Sequence, residues 1–255
     1  MRASEDKLGK GRIIFKLTRS IRIPEENENF RRYTQSTSSD VFNEIAQAYV
    51  EWARSKQGWM YEAFEGAFKL GRKLSSQYNL SAQRIESLFN DVLAKFGGII
   101  GFFISGFLRN LDDFSIRLKV RSASGIGFRM KGGRLYVEGK TSFLGMEMED
   151  GEIVTPLAGN YLGKGMRGGR IVAGTAGDWV GMEMKGGKIV VKKAGNALGF
   201  GMEGGEIIAR EAGAWVGESS KGGKIIVGRC ESVGSGKAFI TVDEVQFRSQ
   251  AGAAL

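Results

Sequence analysis

The sequence predicts a mainly β protein with a helical N-terminal domain: a right-handed parallel β-helix of about six turns, joined to a small α-helical bundle. Three observations predict it. A Gly-punctuated pattern repeats at one constant spacing through the second half of the chain. The composition changes near residue 120, because 30 of the 39 Gly follow that point and 11 of the 16 Phe precede it. Before it, apolar residues recur mostly at helical spacing. The predicted segments are residues 1–120, 121–236 and 237–255.

Residues 1–120 are expected to form a helical domain with a strand at each end. Apolar and polar residues alternate over Ile13–Ile23 and again over Phe114–Val120, which is typical of strands. Ser39 or Asp40 is positioned to cap the first helix, and Ser81 the third. Three stretches place their apolar residues on one helix face: Val41 to Trp52, Trp59 to Phe68 and Ile85 to Phe96.

The most apolar run of the chain is Phe96–Leu108. It is well short of the roughly 20 residues that a membrane-spanning helix needs, so we expect a buried helix, with attachment to a membrane surface as the alternative. Gly97, Gly101 and Ser105 lie four residues apart, a spacing that lets two helices approach closely. The charged start of the chain lacks the apolar core of a secretory signal, so we expect a cytoplasmic protein.

The second half consists of an eighteen-residue repeat, in which each unit has a first Gly and, six residues later, a second Gly. A branched apolar residue precedes the first Gly, Met follows it by three residues in five of six units, and Leu or Ile follows the second Gly by two. Such units are too short for helices, so they must stack as β turns to bury their apolar columns. Residues 237–255 are expected to form a C-terminal cap and tail. The first Gly recurs at Gly127, Gly145, Gly163, Gly181, Gly199 and Gly217, and the second at Gly133, Gly151, Gly169, Gly187, Gly205 and Gly223.

Two copies of the repeat also spell Gly-x-Gly-x-x-Gly, at Gly163–Gly168 and Gly199–Gly204. A dinucleotide site needs that motif between a strand and a helix, with an acidic residue about 20 residues further on. No helical spacing follows either copy, so we expect no nucleotide and no other cofactor.

The composition excludes several kinds of catalytic site. The chain has no His and one Cys, Cys230. It therefore lacks the side chains of a Ser-His-Asp or Cys-His set, of a His/Cys zinc site and of a four-cysteine iron–sulfur cluster, and no catalytic or metal-binding residue is predicted. A single Cys allows no disulfide within the chain, which is typical of a reducing compartment. The net charge of +9 is spread over both halves, which does not favour a nucleic-acid-binding tail.

Two columns of charged residues flank the second Gly on the predicted solenoid. Opposite charges meet at four of the five steps between turns, whereas at the fifth step Arg167 and Arg170 meet Lys185 and Lys188. The columns are either a solvated, self-neutralising stripe or, at the like-charged step, a docking site for an acidic partner. The columns read Lys131, Glu149, Arg167, Lys185, Glu203 and Lys221, and Arg134, Glu152, Arg170, Lys188, Glu206 and Lys224.

A further column carries aromatic residues and reads Phe143, Tyr161, Trp179, Ala197 and Trp215. Each member precedes the branched apolar residue that must face the core. Because strand side chains alternate between faces, the aromatic rings are expected on the outer wall, where they would form a contact surface. The alternative is that the Gly residues two positions earlier bend the chain, which would put the rings in an internal, purely structural stack.

The fullest copies of the repeat, Gly177–Val191 and Gly195–Ala209, resemble two known families. They are similar to the C subunit of formylmethanofuran dehydrogenase and to the Gly-rich C-terminal domain of the glutamate synthase large subunit. The resemblance covers roughly residues 123–236. It implies a right-handed β-helix with a structural role beside the chains or domains that carry out the oxidoreductase chemistry, and with no catalytic residue or cofactor of its own.

We therefore expect a non-catalytic scaffold or assembly subunit of a multi-subunit oxidoreductase, with protein subunits or further copies of the chain as partners. Two alternatives stay open. Parallel β-helices also host polysaccharide lyases and hydrolases, although Asp in residues 121–255 is confined to Asp150, Asp178 and Asp243. The positive charge suggests a nucleic-acid partner, but the Glu residues interleaved with Lys argue against a phosphate-binding track.

Overall fold

The computed structural model describes residues 40–55, 60–121 and 123–245 of the chain. The predicted strand at Ile13–Ile23 and the predicted cap Ser39 lie outside these residues. The α-helices are α1 Asp40–Ser55, α2 Met60–Tyr78, α3 Ala82–Ser87 and α4 Ile100–Leu108, with a π-helical turn at Leu88–Val92 and a 3₁₀ turn at Leu93–Lys95. The strands are β1 Ser115–Lys119, β2 Lys131–Glu138, β3 Asp150–Leu157, β4 Arg170–Thr175, β5 Lys188–Lys193, β6 Glu206–Ala212, β7 Lys224–Cys230 and β8 Phe239–Val245.

The eight strands form one parallel sheet in chain order, so each strand lies on the previous one, a turn of the solenoid further on. Residues at the same repeat position pair across the sheet: Ile153 lies opposite Ile171, which lies opposite Ile189. The predicted parallel β-helix is confirmed, and its hand stays a prediction. The sheet also extends beyond the six predicted turns, because β1 adds a strand before them and the described part of residues 237–255 forms β8 in register with β7.

The predicted inward columns fill the core of the solenoid, and two kinds of Gly leave room for them. The first Gly of each unit has a positive φ, 65° at Gly163, and a Cβ there would lie 2.6 Å from Cδ1 of Ile189. The second Gly also has a positive φ, 75° at Gly169, and a Cβ there would lie 2.8 Å from Cε of Met148. Both positions exclude side chains because neighbouring turns pack directly over them.

The apolar run forms α4, and all nine residues of this helix are buried. No helix in the described ranges has the length and apolar character needed to cross a membrane. The predicted small-residue contact between helices uses other residues. Gly106 of α4 meets Gly71 of α2, where a Cβ on either would overlap the facing backbone. Ser105 instead faces the first turn of the solenoid, where its hydroxyl accepts a hydrogen bond from the Phe128 N–H at 3.2 Å. Gly97 precedes the helix.

The predicted Ser81 cap and the predicted alternation before the first turn agree with the structure, although β1 is one residue shorter at each end than predicted. The Ser81 hydroxyl accepts a hydrogen bond from the Arg84 N–H at 3.4 Å and caps α3. In β1, the exposed residues alternate with buried Ile116 and Leu118, as the period of two predicts.

Candidate protein-docking surface

The aromatic column lies on the outer wall of the solenoid. Its residues adopt left-handed backbone conformations, with φ of 55° at Phe143, 64° at Tyr161, 65° at Trp179 and 61° at Trp215. The apolar residue that follows each of them is fully buried, for example Val180 after Trp179. These positions lie in turns outside the strands, so the strand alternation assumed from the sequence is not what places the rings. Phe143 is buried as part of the hydrophobic core, whereas Tyr161 and Trp179 are partly exposed and Trp215 is exposed.

The rings stack on one another along the solenoid. The centroids of Phe143 and Tyr161 are 4.7 Å apart at an interplanar angle of 6°, and those of Tyr161 and Trp179 are 6.3 Å apart at 14°. The turn that carries Ala197 in this column supplies Phe200 instead, whose ring meets the Trp179 ring edge-on at 5.1 Å. Sequence reasoning missed Phe200 because it occupies a different repeat position, although it belongs to the one turn of the five that lacks a ring.

A ladder of Asn and Asp side chains fixes the backbone beneath the rings. Asn160 Oδ1 accepts the N–H of Asp178 at 3.1 Å, and Asp178 Oδ1 accepts the N–H of Asn196 at 2.8 Å. The Gly before each rung does not bend the chain through a positive φ. A Cβ at Gly177 or Gly195 would instead overlap the Oδ1 of the previous rung. This column of Gly is thus required by the ladder, which the sequence analysis did not identify.

The helical domain covers the first ring of the column. Phe64 of α2 stacks on Phe102 of α4 at 4.0 Å and 8°, and its ring centroid lies 5.7 Å from that of Phe143. Phe64 and Phe143 are both buried. The wall of the solenoid thus binds an aromatic side chain of a helix at its N-terminal turns.

A polar cluster beside this contact joins α2 to the solenoid. The guanidinium of Arg129 lies 2.6 Å from Glu65 Oε1 and 2.8 Å from Glu147 Oε2, and Arg129 Nη2 donates to Tyr61 Oη at 3.0 Å. Burial acts to lower the pKa of Arg129. The hydrogen bond from Arg129 to Glu147, together with the negative charges of Glu147 and Glu65, outweighs this effect and raises the pKa. Burial and the charge of Glu147 raise the pKa of Tyr61. We call Tyr61, Glu65, Arg129 and Glu147 the latch.

Each charged column is partly neutralised by ion pairs between its own residues on neighbouring turns, as one of the two interpretations predicts. One carboxylate can form ion pairs with the turns on both sides: Glu206 lies 2.7 Å from Lys188 and 3.5 Å from Lys224. The hydrogen bond from Lys188 lowers the pKa of Glu206. Glu149 was expected to pair with Lys131 or Arg167 of its own column. It instead pairs with Arg109, the residue after α4, at 2.9 Å.

At the like-charged step, Arg170 lies opposite Lys188 in the sheet register. Within the described residues, Arg167 has no ion-pair partner, and the carboxylate nearest Arg170 is at 4.0 Å. Lys185 lies 3.9 Å from Glu203. The four cations therefore form a patch that is only partly compensated, and its use as a docking site for an acidic partner stays a prediction.

A groove of about 510 Å³ at the N-terminal end of the sheet is lined by several carboxylates, which the sequence analysis did not predict to lie close together. Its lining includes Asp113, Asp150 and Glu152, beside Arg134. Arg134 pairs with Glu152 at 2.8 Å, and Asp150 accepts the N–H of Gly151 at 2.7 Å. In the part of the chain that the structure describes, no three His, Cys, Asp or Glu side chains are grouped as a metal site would require.

Comparisons of the chain with protein-family models, with curated proteins and with solved structures find no match. The resemblance to formylmethanofuran dehydrogenase and glutamate synthase therefore rests on the residues of the repeat, and it stays a prediction.

Proposed function

We propose that this chain is a non-catalytic scaffold subunit that holds partner proteins on the outer wall of its solenoid. The observation that carries the proposal is that this wall already binds a helix within the chain. Phe64 of α2 covers Phe143, and the latch adds ion pairs beside it. Beyond that contact the column continues with the rings of Tyr161, Trp179 and Trp215, and the turn that carries Ala197 supplies Phe200.

The uncovered part of the column offers anchors for a partner. Tyr161 and Trp179 are partly exposed, and Trp215 is 58% exposed. Large aromatic side chains contribute strongly to interfaces, because they bury much area while losing few rotamers. The stacking of Tyr161 on Trp179 and the ladder beneath them hold these two rings in place before binding, which lowers the entropy cost of association.

The charge beside the free rings indicates the chemistry of the partner. In the latch, Arg129 occupies the repeat position that Glu147 and Glu183 occupy in later turns. Glu183 is exposed, and its carboxylate lies 3.8 Å from Lys164. In the latch, Glu65 of α2 pairs with Arg129. On the later turns the charge is reversed, so a partner helix would place a basic side chain against Glu183 and an aromatic side chain beside it.

The kind of complex follows from the resemblance of the repeat. In both families that it resembles, the Gly-rich domain is a structural neighbour of the chains or domains that carry out oxidoreductase chemistry. We therefore propose a multi-subunit oxidoreductase in the cytoplasm as the setting, and we assign this chain no catalytic residue and no cofactor.

Purification of the chain from its own cells tests this function. A tagged wild-type chain should retain oxidoreductase subunits in whole-number ratio through size-exclusion chromatography. The Trp215→Ser chain should lose them, and the control Thr175→Ala, an exposed position on the sheet, should keep them. Retention of the same subunits by Trp215→Ser would contradict the docking surface, and a wild-type chain without any stoichiometric subunit would contradict the scaffold function.

A further inference from the structure

The N-terminal edge of the sheet is closed by side chains of the helical domain. Asn90 donates from Nδ2 to the carbonyl oxygen of Arg117 and accepts from the N–H of Lys119, both at 2.8 Å. Glu86 accepts the N–H of Arg117 at 3.0 Å. These bonds replace those that a neighbouring strand would make, and α4 covers the core of the first turn.

The C-terminal edge differs. Within the described residues, β8 pairs with β7 alone. The inward-facing Ile240 and Val242 are partly exposed, whereas Ile225 and Val227, their partners in β7, are fully buried. Among the described residues, the last layer of the core is therefore only partly covered at this end, and β8 has one edge without a partner strand, which is prone to pair with another strand.

Exposed apolar side chains also gather at this end. Of the five large hydrophobic residues that are exposed in the described ranges, three belong to the last two turns: Trp215, Val233 and Phe239. Phe239 is 69% exposed, and it stands at the repeat position where β7 carries Lys224. An aromatic residue thus replaces a charged one at the edge. Several exposed apolar side chains on the last turns indicate a surface that binds protein.

We infer that the C-terminal end of the solenoid binds the same end of a second copy of the chain. Head-to-tail stacking is blocked, because the helices and Asn90 occupy the N-terminal end. Among the residues that the structure describes, the sheet edge of matching kind is the C-terminal end of another copy. Two identical ends that meet are related by a two-fold axis, so the assembly closes as a dimer instead of growing into a filament.

The sequence of β8 suits such a pairing. Strands related by a two-fold axis run antiparallel, and an axis at Thr241 places Ile240 opposite Val242 of the second copy on the core side. Thr241 then lies opposite Thr241 of the second copy on the outer side, and two Thr residues form a favourable cross-strand pair. The two cores become continuous, and the free backbone groups of both edges are paired.

Light scattering coupled to size-exclusion chromatography tests the inference on the purified full-length chain, without any partner. The wild-type chain, 27.8 kDa as a monomer, should elute as a dimer at micromolar concentration. Phe239→Asp should weaken association by about tenfold or more, because the register centred on Thr241 places each new carboxylate opposite Asp243 of the second copy. The control Leu157→Asp, at an exposed site in mid-solenoid, should remain dimeric.

Three results would overturn the inference: a monomeric wild-type chain, a Phe239→Asp chain that dimerises like the wild type, or an open series of larger species. A chain ending at Val245 serves as a second test. This shortened chain should still dimerise. If it dimerises while the wild-type chain is monomeric, residues 246–255 occupy the C-terminal end in the full chain, and the inference is wrong. Because no partner is present, these results are independent of the scaffold function.

Discussion

Replacing Asp178 with Ala should destabilise the solenoid, because it removes one rung of the side-chain ladder beneath the aromatic column. The Asp178 side chain accepts the N–H of Asn196 at 2.8 Å, and the backbone of Asp178 donates to Asn160. Loss of a hydrogen bond costs about 0.5–1.5 kcal/mol, and a donor left unpaired costs about 1–3 kcal/mol when fully buried. The donor left unpaired is the N–H of Asn196, and since Asn196 is exposed, water satisfies part of that demand, so about 1–2 kcal/mol is expected.

Two further variants separate the hydrogen bond from other effects. Asp178→Asn keeps the accepting oxygen and should be close to neutral, as Asn already fills this position at Asn160 and Asn196. Gly195→Ala should cost more than Asp178→Ala, because its Cβ would overlap Asp178 Oδ1 and displace the rung.

Thermal unfolding followed by circular dichroism measures the series. For a chain of this size, about 1–2 kcal/mol corresponds to a fall in Tm of about 2–8 °C. An unchanged Tm for Asp178→Ala would refute the ladder as a stabilising element. An Asp178→Asn variant as unstable as Asp178→Ala would show that the charge of Asp178, and not its hydrogen bond, matters.

Three more outcomes follow from the structure. Gly106→Ala should destabilise the helical domain by about 1–3 kcal/mol, since the added methyl overlaps the backbone of α2, and the chemical-denaturation midpoint measures it. Burial raises the pKa of Cys230, so labelling of this thiol at pH 8 should follow the rate of unfolding, and stability should fall as pH rises above the unfolded pKa of about 8.5. Lys188→Ala should raise the pKa of Glu206, which Lys188 lowers, as carboxyl chemical shifts in an NMR titration would show.

The stacked turns could be predicted because each column repeats one residue type in one register. Ile153, Ile171 and Ile189 recur at a constant spacing and lie opposite one another. The eighth strand was harder to recognise, because the step from Lys224 to its partner Phe239 is shorter than the step from Glu206 to Lys224. The period that reveals the other turns is lost at that step.

The candidate site was predicted only in part. The ring column followed from its register, but the latch joins Tyr61 to Arg129, which is far away in the chain, and no period relates the two. Phe200 fills the place above Ala197 from a different repeat position. Contacts of this kind depend on how the helices and turns are placed in space, which the repeat does not encode.

Site-specific photo-crosslinking in cells tests the docking wall most directly. A photoreactive aromatic amino acid at position 215, in place of the 58% exposed Trp215, should crosslink to one oxidoreductase subunit through a helix that carries aromatic and basic residues. The same amino acid at Thr175 should give no such product. Crosslinking at both positions with equal yield, or at position 175 alone, would contradict the proposal that the aromatic column is where this scaffold holds its partner.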